Sequence, residues 1–282
     1  MVGLEEDAMN KPIERPRLSL VPRDGTTSLV SGEARCPGPS VQELVAPDAV
    51  PAPDILRSEN YSFLGDEDIP ADRYVTQAFF DREMDKVWPK TWQWACRDEH
   101  IPDAGDMYTY EVGPFSVLVV RQRDGGVKAF VNSCLHRGTK FRACEGESHG
   151  QNLRCPYHGW VWNLDGALEQ VPCAWDFPHV EPKKFGLPEV AVGRWGGFVF
   201  INLDEAAQPF DDYIAPLADH FANWDLSKRY VSLHMSKELP CNWKTAMEAF
   251  LESYHVYETH PQLMTATGDA NVQYDTYGDH VS

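Results

Sequence analysis

Asn132-Ser133-Cys134-Leu135-His136-Arg137-Gly138 and Arg154-Cys155-Pro156-Tyr157-His158-Gly159-Trp160 are the two stretches that decide how this chain is read. Each carries one Cys and one His, as Cys-x-His and Cys-x-x-His, with 18 residues between His136 and Cys155. Each also ends in a glycine able to take φ > 0 at the close of a tight loop. Two thiolates and two imidazoles leave two metal chemistries open. One is a tetrahedral zinc; the other is a two-iron, two-sulfide cluster in which two His replace two Cys on one iron. The order of ligands disfavours zinc, whose structural sites pair C-x₂₋₄-C with H-x₃₋₅-H rather than one Cys with one His twice over. Exchanging anionic thiolates for neutral imidazoles raises the reduction potential above that of an all-Cys cluster, so the second chemistry implies one-electron transfer.

About a hundred residues further on, Asn242-Trp243-Lys244 leads into a stretch with Glu248, Glu252, Tyr254-His255 and His260-Pro261. Glu248, Glu252 and His255 stand at offsets 0, 4 and 7, one face of a helix, while Phe250, Leu251 and Tyr254 cover a neighbouring apolar face. Pro261 disfavours the α conformation at His260, so the spacing predicts a helix over 243–259 that ends there and turns His260 toward His255. Two His with a carboxylate are the ligands of a facial triad for Fe(II). Taken alone, the segment reads rather as an amphipathic helix with surface His and Glu; the Cys and His sets upstream turn the preference to iron ligands.

The paired motifs Cys134-x-His136-Arg137-Gly138 and Cys155-x-Tyr157-His158-Gly159-Trp160 resemble those of the Rieske non-haem iron oxygenases, in their ring-hydroxylating large (alpha) subunit form. Thr139 and Tyr157 occupy positions where Rieske proteins of respiratory complexes carry an extra disulfide pair. The resemblance implies a [2Fe-2S] cluster on Cys134, His136, Cys155 and His158, and a mononuclear Fe(II) on His255 and His260. It gives Glu252 the place of an acidic residue, usually Asp, that bridges a cluster His of one subunit to an iron-ligand His of its neighbour. Ala249 stands where the family often has Asn. The third iron ligand implied is a carboxylate far downstream; Asp269, Asp275 and Asp279 are the only carboxylates among the 22 residues after His260, and a C-terminally truncated subunit is expected.

The implied architecture is α+β. An all-β Rieske [2Fe-2S] domain is followed by the start of a helix-grip catalytic domain, antiparallel sheet plus helices. The implied activity is that of a terminal oxygenase component, which hydroxylates or demethylates an organic, including aromatic, substrate. Electrons would come from NAD(P)H through a reductase, with or without a ferredoxin. A homotrimer or hetero-hexamer is implied for the full-length protein. The competing reading is an electron carrier or non-catalytic remnant that binds only the cluster.

Composition narrows the classes. The net charge is −18, which disfavours nucleic acid and anionic membrane as partners. There is no apolar run of membrane-spanning length and no signal core, so a cytoplasmic protein is expected. Seven cysteines, an odd count in a reduced compartment, argue against a disulfide scaffold. Cys96 reads as core, and Cys144 and Cys173 as free thiols.

Four segments follow along the chain. Residues 1–58, with eight prolines and no period, read as a disordered leader. Residues 59–90 hold a helix with apolar positions 79, 80, 84, 87 and 88, stopped by Pro89. From 91 to 204 the pattern turns to strands, at 107–112, 115–120, 127–131 and 197–202, punctuated by Gly113-Pro114, Asp124-Gly125-Gly126 and Asn163-Leu164-Asp165-Gly166. Both ligand stretches fall at strand ends, and the nearby tryptophans read as core. The remainder, 205–282, opens with a helix over 209–221 and an alternating strand over 229–239.

Overall fold

The structure, a computed structural model, describes residues 39–263 and 272–281. The chain divides into two compact units, Ala71–Lys237 on one side and the described parts of Met1–Pro70 with Glu238–Ser282 on the other.

The larger unit is built on antiparallel strands: β1 (Gln93–Arg97), β2 (Asp106–Val112), β3 (Phe115–Arg121), β4 (Val127–Val131), β5 (Gly146–His149), β6 (Leu153–Arg154), β7 (Val161–Trp162), β8 (Leu168–Gln170), β9 (Glu189–Trp195) and β10 (Phe198–Asn202). Seven of them form one sheet in the order β1-β10-β9-β4-β3-β2-β5, and β6-β7-β8 form a second. The expected hairpin pairs as predicted, Val112 opposite Phe115 across the Gly113-Pro114 turn.

The run Val117-Leu118-Val119-Val120 explains why the sheet is the heart of the unit. All four side chains are fully buried, because β3 is covered on both faces, and a continuous apolar run is what such a strand requires. Alternation sends Leu118 and Val120 into a core with Phe130, Phe141, Trp160, Trp162, Cys134 and Cys155. Val117 and Val119 enter the opposite core with Cys96, Ile101, Val199 and Ile201. Each fully buried aliphatic contributes about 1.5–3 kcal/mol. Cys96 is core, as read from sequence, and burial pushes its thiol up to about 12.

Two helices flank the strands. Thr76 caps Gln77–Lys86, its hydroxyl accepting from the Phe79 N–H. The helix Phe210–His220 lays Phe210 and Ile214 against Trp92. Phe210 sits directly over β9: a Cβ at Gly193 would stand 2.1 Å from its ring, so glycine is what lets the helix approach. The segment expected as a strand over 229–239 forms no ladder. Tyr230, Leu233, Met235 and Leu239 are all exposed. Alternation marks a pleated surface only where a neighbouring backbone pairs with it and one face is covered; here the Val231 N–H instead bonds the Glu99 carboxylate at 2.8 Å.

In the smaller unit, a capping box on Ser40 and Glu43 starts the short helix Val41–Val45. Residues 1–38 of the expected leader lie outside the described residues. The rest is tied to the chain's last strands: Gln42 bonds Gln273 at 2.6 Å, and the Tyr277 hydroxyl donates to the Ile55 carbonyl at 3.0 Å. Among the described residues no helix is long and apolar enough to cross a membrane.

Candidate metal centres

The two ligand loops of the larger unit are built alike. In the first, after β4, the Cys134 N–H donates to the Thr139 carbonyl at 2.9 Å and the Gly138 N–H returns to the Cys134 carbonyl at 2.8 Å. In the second, between β6 and β7, the Cys155 N–H donates to the Trp160 carbonyl at 2.8 Å and the Gly159 N–H returns to the Cys155 carbonyl at 3.1 Å. Gly138 and Gly159 close these loops at φ 75° and 73°, where a side chain is disfavoured. A Cβ at either would meet nothing closer than 3.7 Å, so the backbone angle and not space demands glycine.

Across the loops, like faces like. The Cys134 and Cys155 thiols are neighbours close enough for Cys155 to raise the Cys134 thiol, each residue 2% exposed and free of disulfide. The His136 and His158 rings lie edge to face with centroids 4.6 Å apart. This sorting suits a cluster with one Cys₂ iron and one His₂ iron rather than one tetrahedral zinc. Among the described residues no three His, Cys, Asp or Glu side chains close on a single ion position, whereas the cluster asks each metal for only two protein ligands.

The donor set fits the cluster on a further point. His136 Nδ1 is buried with no hydrogen-bond partner, a costly state for a polar atom unless it coordinates something. Burial first, then the neighbouring His158 and Arg137, pull the His136 ring below the usual histidine range, which keeps a lone pair available. Burial also pushes the Cys134 thiol up, with Cys155 adding to it.

Asn132 stands two residues before the first ligand position, and the structure shows what it does. Its side chain is 1% exposed. The amide oxygen accepts from the Phe141 N–H at 2.9 Å and the Arg142 N–H at 3.2 Å, while the nitrogen donates to the Arg142 carbonyl at 2.8 Å and the Ser116 hydroxyl at 3.0 Å. One buried amide therefore clamps both ends of the first ligand loop onto β3. A polar residue two positions before the first ligand was the signal.

In the smaller unit, the expected continuous helix is broken. Trp243–Glu248 and Val256–Thr259 are helical, and a turn separates them. Glu248 thus does not share a helix face with Glu252 and His255. The apolar stripe meant to hold such a helix is exposed, Phe250 at 89% and Tyr254 at 79%, and helices draw most of their stability from packing that stripe. Local bonds favour the turn: the Ser253 N–H donates to the Tyr274 hydroxyl at 2.8 Å, and the His255 N–H to the Glu252 carboxylate at 3.1 Å.

The turn brings Glu252 onto His255 within the same chain. Its other oxygen pairs with His255 Nδ1, and this bond, ahead of every other influence, holds the Glu252 carboxyl below the usual range. An ionised carboxylate only accepts, so Nδ1 is the donor and Nε2 is the nitrogen turned away from Glu252, the arrangement of a carboxylate–histidine–metal site. His255 and His260 lie edge to face, 5.5 Å between centroids. Of the three downstream carboxylates, Asp269 lies outside the described residues. Asp275 is 3% exposed and engaged by the Asn60 N–H at 2.6 Å, the Tyr277 hydroxyl at 3.3 Å and Gln273. Asp279 is exposed in the turn of a terminal hairpin.

Comparison with known proteins places both halves. Residues 91–181 match the Rieske [2Fe-2S] domain and residues 221–282 match the Ring hydroxylating alpha subunit (catalytic domain). The glycine betaine monooxygenase oxygenase subunit of Pseudomonas aeruginosa is 33% identical over 213 residues, 75% of this chain and 48% of that protein. The carnitine monooxygenase oxygenase subunit of Escherichia coli K12 is 30% identical over 230 residues, 80% of this chain and 60% of that protein. The crystal structure of a quaternary ammonium Rieske monooxygenase with L-carnitine superposes with a TM-score of 0.64 at 26% identity, covering 74% of this chain and 58% of the other. The chain thus spans about half the length of the curated relatives it matches. With its two matched loops and the downstream His pair, the chain belongs to the Rieske non-haem iron oxygenases of the ring-hydroxylating alpha-subunit type.

Proposed function

We propose that this chain serves as the terminal oxygenase component of a multicomponent system in the cytoplasm. It receives electrons that originate in NAD(P)H, through a reductase and, in some arrangements, a ferredoxin, and directs them to the oxygenation of a small organic substrate. The observation that carries the reading is the pairing of thiol with thiol and imidazole with imidazole across two equivalent loops. Bound there, a Rieske [2Fe-2S] cluster supplies one-electron transfer, and an Fe(II) held by His255 and His260 supplies the site for O₂ activation.

The chain's own residues prepare both sites. Cys134 and Cys155 ligate as thiolates, so loading releases their protons, against the burial that raises the Cys134 thiol. The N–H and carbonyl bonds of the two loops fix where the sulfurs stand before any metal arrives. His136 is half-buried against Trp160 and Phe177, while His158 faces solvent, the side from which an electron donor reaches the cluster. Glu252 holds the Nδ1 proton of His255 and so aims Nε2 outward as a ligand.

The relatives named for glycine betaine and carnitine make a quaternary ammonium compound the first substrate class to test, with aromatic hydroxylation second. A single-turnover experiment tests the reading. The purified protein is reduced, freed of reductant, and given O₂ with each candidate substrate. Oxygenated or demethylated product, lost in His255→Ala, supports it. Reoxidation without product, together with an iron content unchanged by His255→Ala and His260→Ala, favours the electron-carrier reading.

A further inference from the structure

Trp160 joins the two ligand loops in a way that neither loop's own hydrogen bonds achieve. Its backbone carbonyl accepts the Cys155 N–H at 2.8 Å and closes the second loop. Its indole, 2% exposed, lies parallel to the imidazole of His136 in the first loop, with an interplanar angle of 2° and centroids 5.1 Å apart. Phe177 stands edge-on to both rings, 5.7 Å from His136 and 5.4 Å from Trp160. Behind the indole, Trp162 is fixed by its own Nε1–H to the Phe185 carbonyl at 2.8 Å.

Metal-binding histidines are oriented through the ring nitrogen that does not ligate, and the buried, partnerless Nδ1 of His136 is the nitrogen left for the metal. π packing on the ring's faces is a second constraint on its plane. Offset-parallel stacking is a preferred aromatic geometry, worth about 0.5–1.5 kcal/mol beyond area burial, and the edge-on Phe177 denies the ring the alternative tilt.

We infer that Trp160 is a positioning residue for the cluster: its indole sets the plane of His136 while its carbonyl sets the loop of Cys155, so one residue keeps the two halves of the ligand set in register. The inference rests on the [2Fe-2S] reading of the four ligands. A bland core tryptophan would serve equally well as Leu or Phe at some cost in stability, and would leave the ligand geometry alone.

The test compares Trp160→Leu, Trp160→Phe and Trp162→Phe in the cluster-loaded full chain. Readouts are iron and acid-labile sulfide per chain, the EPR g values of the reduced cluster, and the half-life of the visible chromophore under a chelator. Trp160→Leu is expected to shift the g values most and to shorten the half-life about tenfold or more, the usual scale for losing a ligand's orienting partner. Trp160→Phe, which keeps a flat ring, is expected to shift both less. Trp162→Phe, an equally buried change one ring further away, is expected to leave the g values at the wild-type position. Wild-type g values in both Trp160 variants, or a shift in Trp162→Phe equal to that in Trp160→Phe, overturn the inference. If Trp160→Leu does not fold, the two Phe variants decide it by the same criterion. Absence of sulfide from the wild-type protein would instead strike the cluster reading itself.

Discussion

The candidate cluster loops and the candidate iron site in the His255–His260 turn are held by opposite means. In the larger unit, Cys134 and Cys155 are almost fully buried, framed by matching backbone hydrogen bonds and walled by aromatic rings. In the smaller unit, Glu252 and Tyr254 are exposed, and the ligand pair rests on one carboxylate and one turn of helix. The first site is preorganised by the fold; the second is organised by a few local contacts. Preorganisation of this kind tolerates loss of metal, whereas a locally held site is sensitive to each contact it has.

The sharpest way to break the comparison is to remove a buried ligand. Cys155→Ser is expected to abolish the cluster, removing about two irons and two sulfides per chain, measured on purified protein. Next comes the clamp. Asn132→Ala strands two N–H groups and a carbonyl in a buried loop, and is expected to destabilise the larger unit by at least about 2 kcal/mol in denaturant unfolding. For the smaller unit, Glu252→Ala should weaken metal binding at His255 and His260 about 10- to 100-fold, read by metal titration, and leave the cluster chromophore intact. Loss of the chromophore in that variant would show that the two sites are not held independently.

The smallest expected effect concerns pH. Burial alone would raise the Asp98 carboxyl, but hydrogen bonds from Arg194 and Arg121, the latter at 2.7 Å, outweigh it and lower the pKa below its ordinary value. A carboxyl depressed in the folded state contributes stability above its unfolded value, near 3.9, and that contribution is lost as pH falls through the folded value. Asp98→Asn should therefore lower the melting temperature at pH 7 and converge with wild type in strong acid. A constant gap at both pH values would contradict the assignment.

The same contrast explains what could be read from the sequence. The candidate cluster site could be picked out because its features are local: the two Cys-His sets, the φ > 0 glycines and the flanking strands all lie within two short stretches. The fully buried run 117–120 was legible as a strand for the same reason. The helix over 243–259 was misread because its apolar face, Phe250, Leu251 and Tyr254, has the right period but no surface covering it. The alternation over 229–239 failed likewise, for want of a pairing strand. Asn132 and Trp160 were visible as residues but not as a clamp and a stacking partner, since those roles depend on which loop faces which. A period in the sequence states what a segment can offer; only packing states what accepts it.

The central claim is that Cys134, His136, Cys155 and His158 hold a Rieske cluster. It is tested most directly by quantifying iron, zinc and acid-labile sulfide in the purified chain beside Cys155→Ser. About two sulfides per chain, with two or three irons, all sulfide lost in the variant, is the expected result; zinc in place of iron, with no sulfide in either protein, would contradict it.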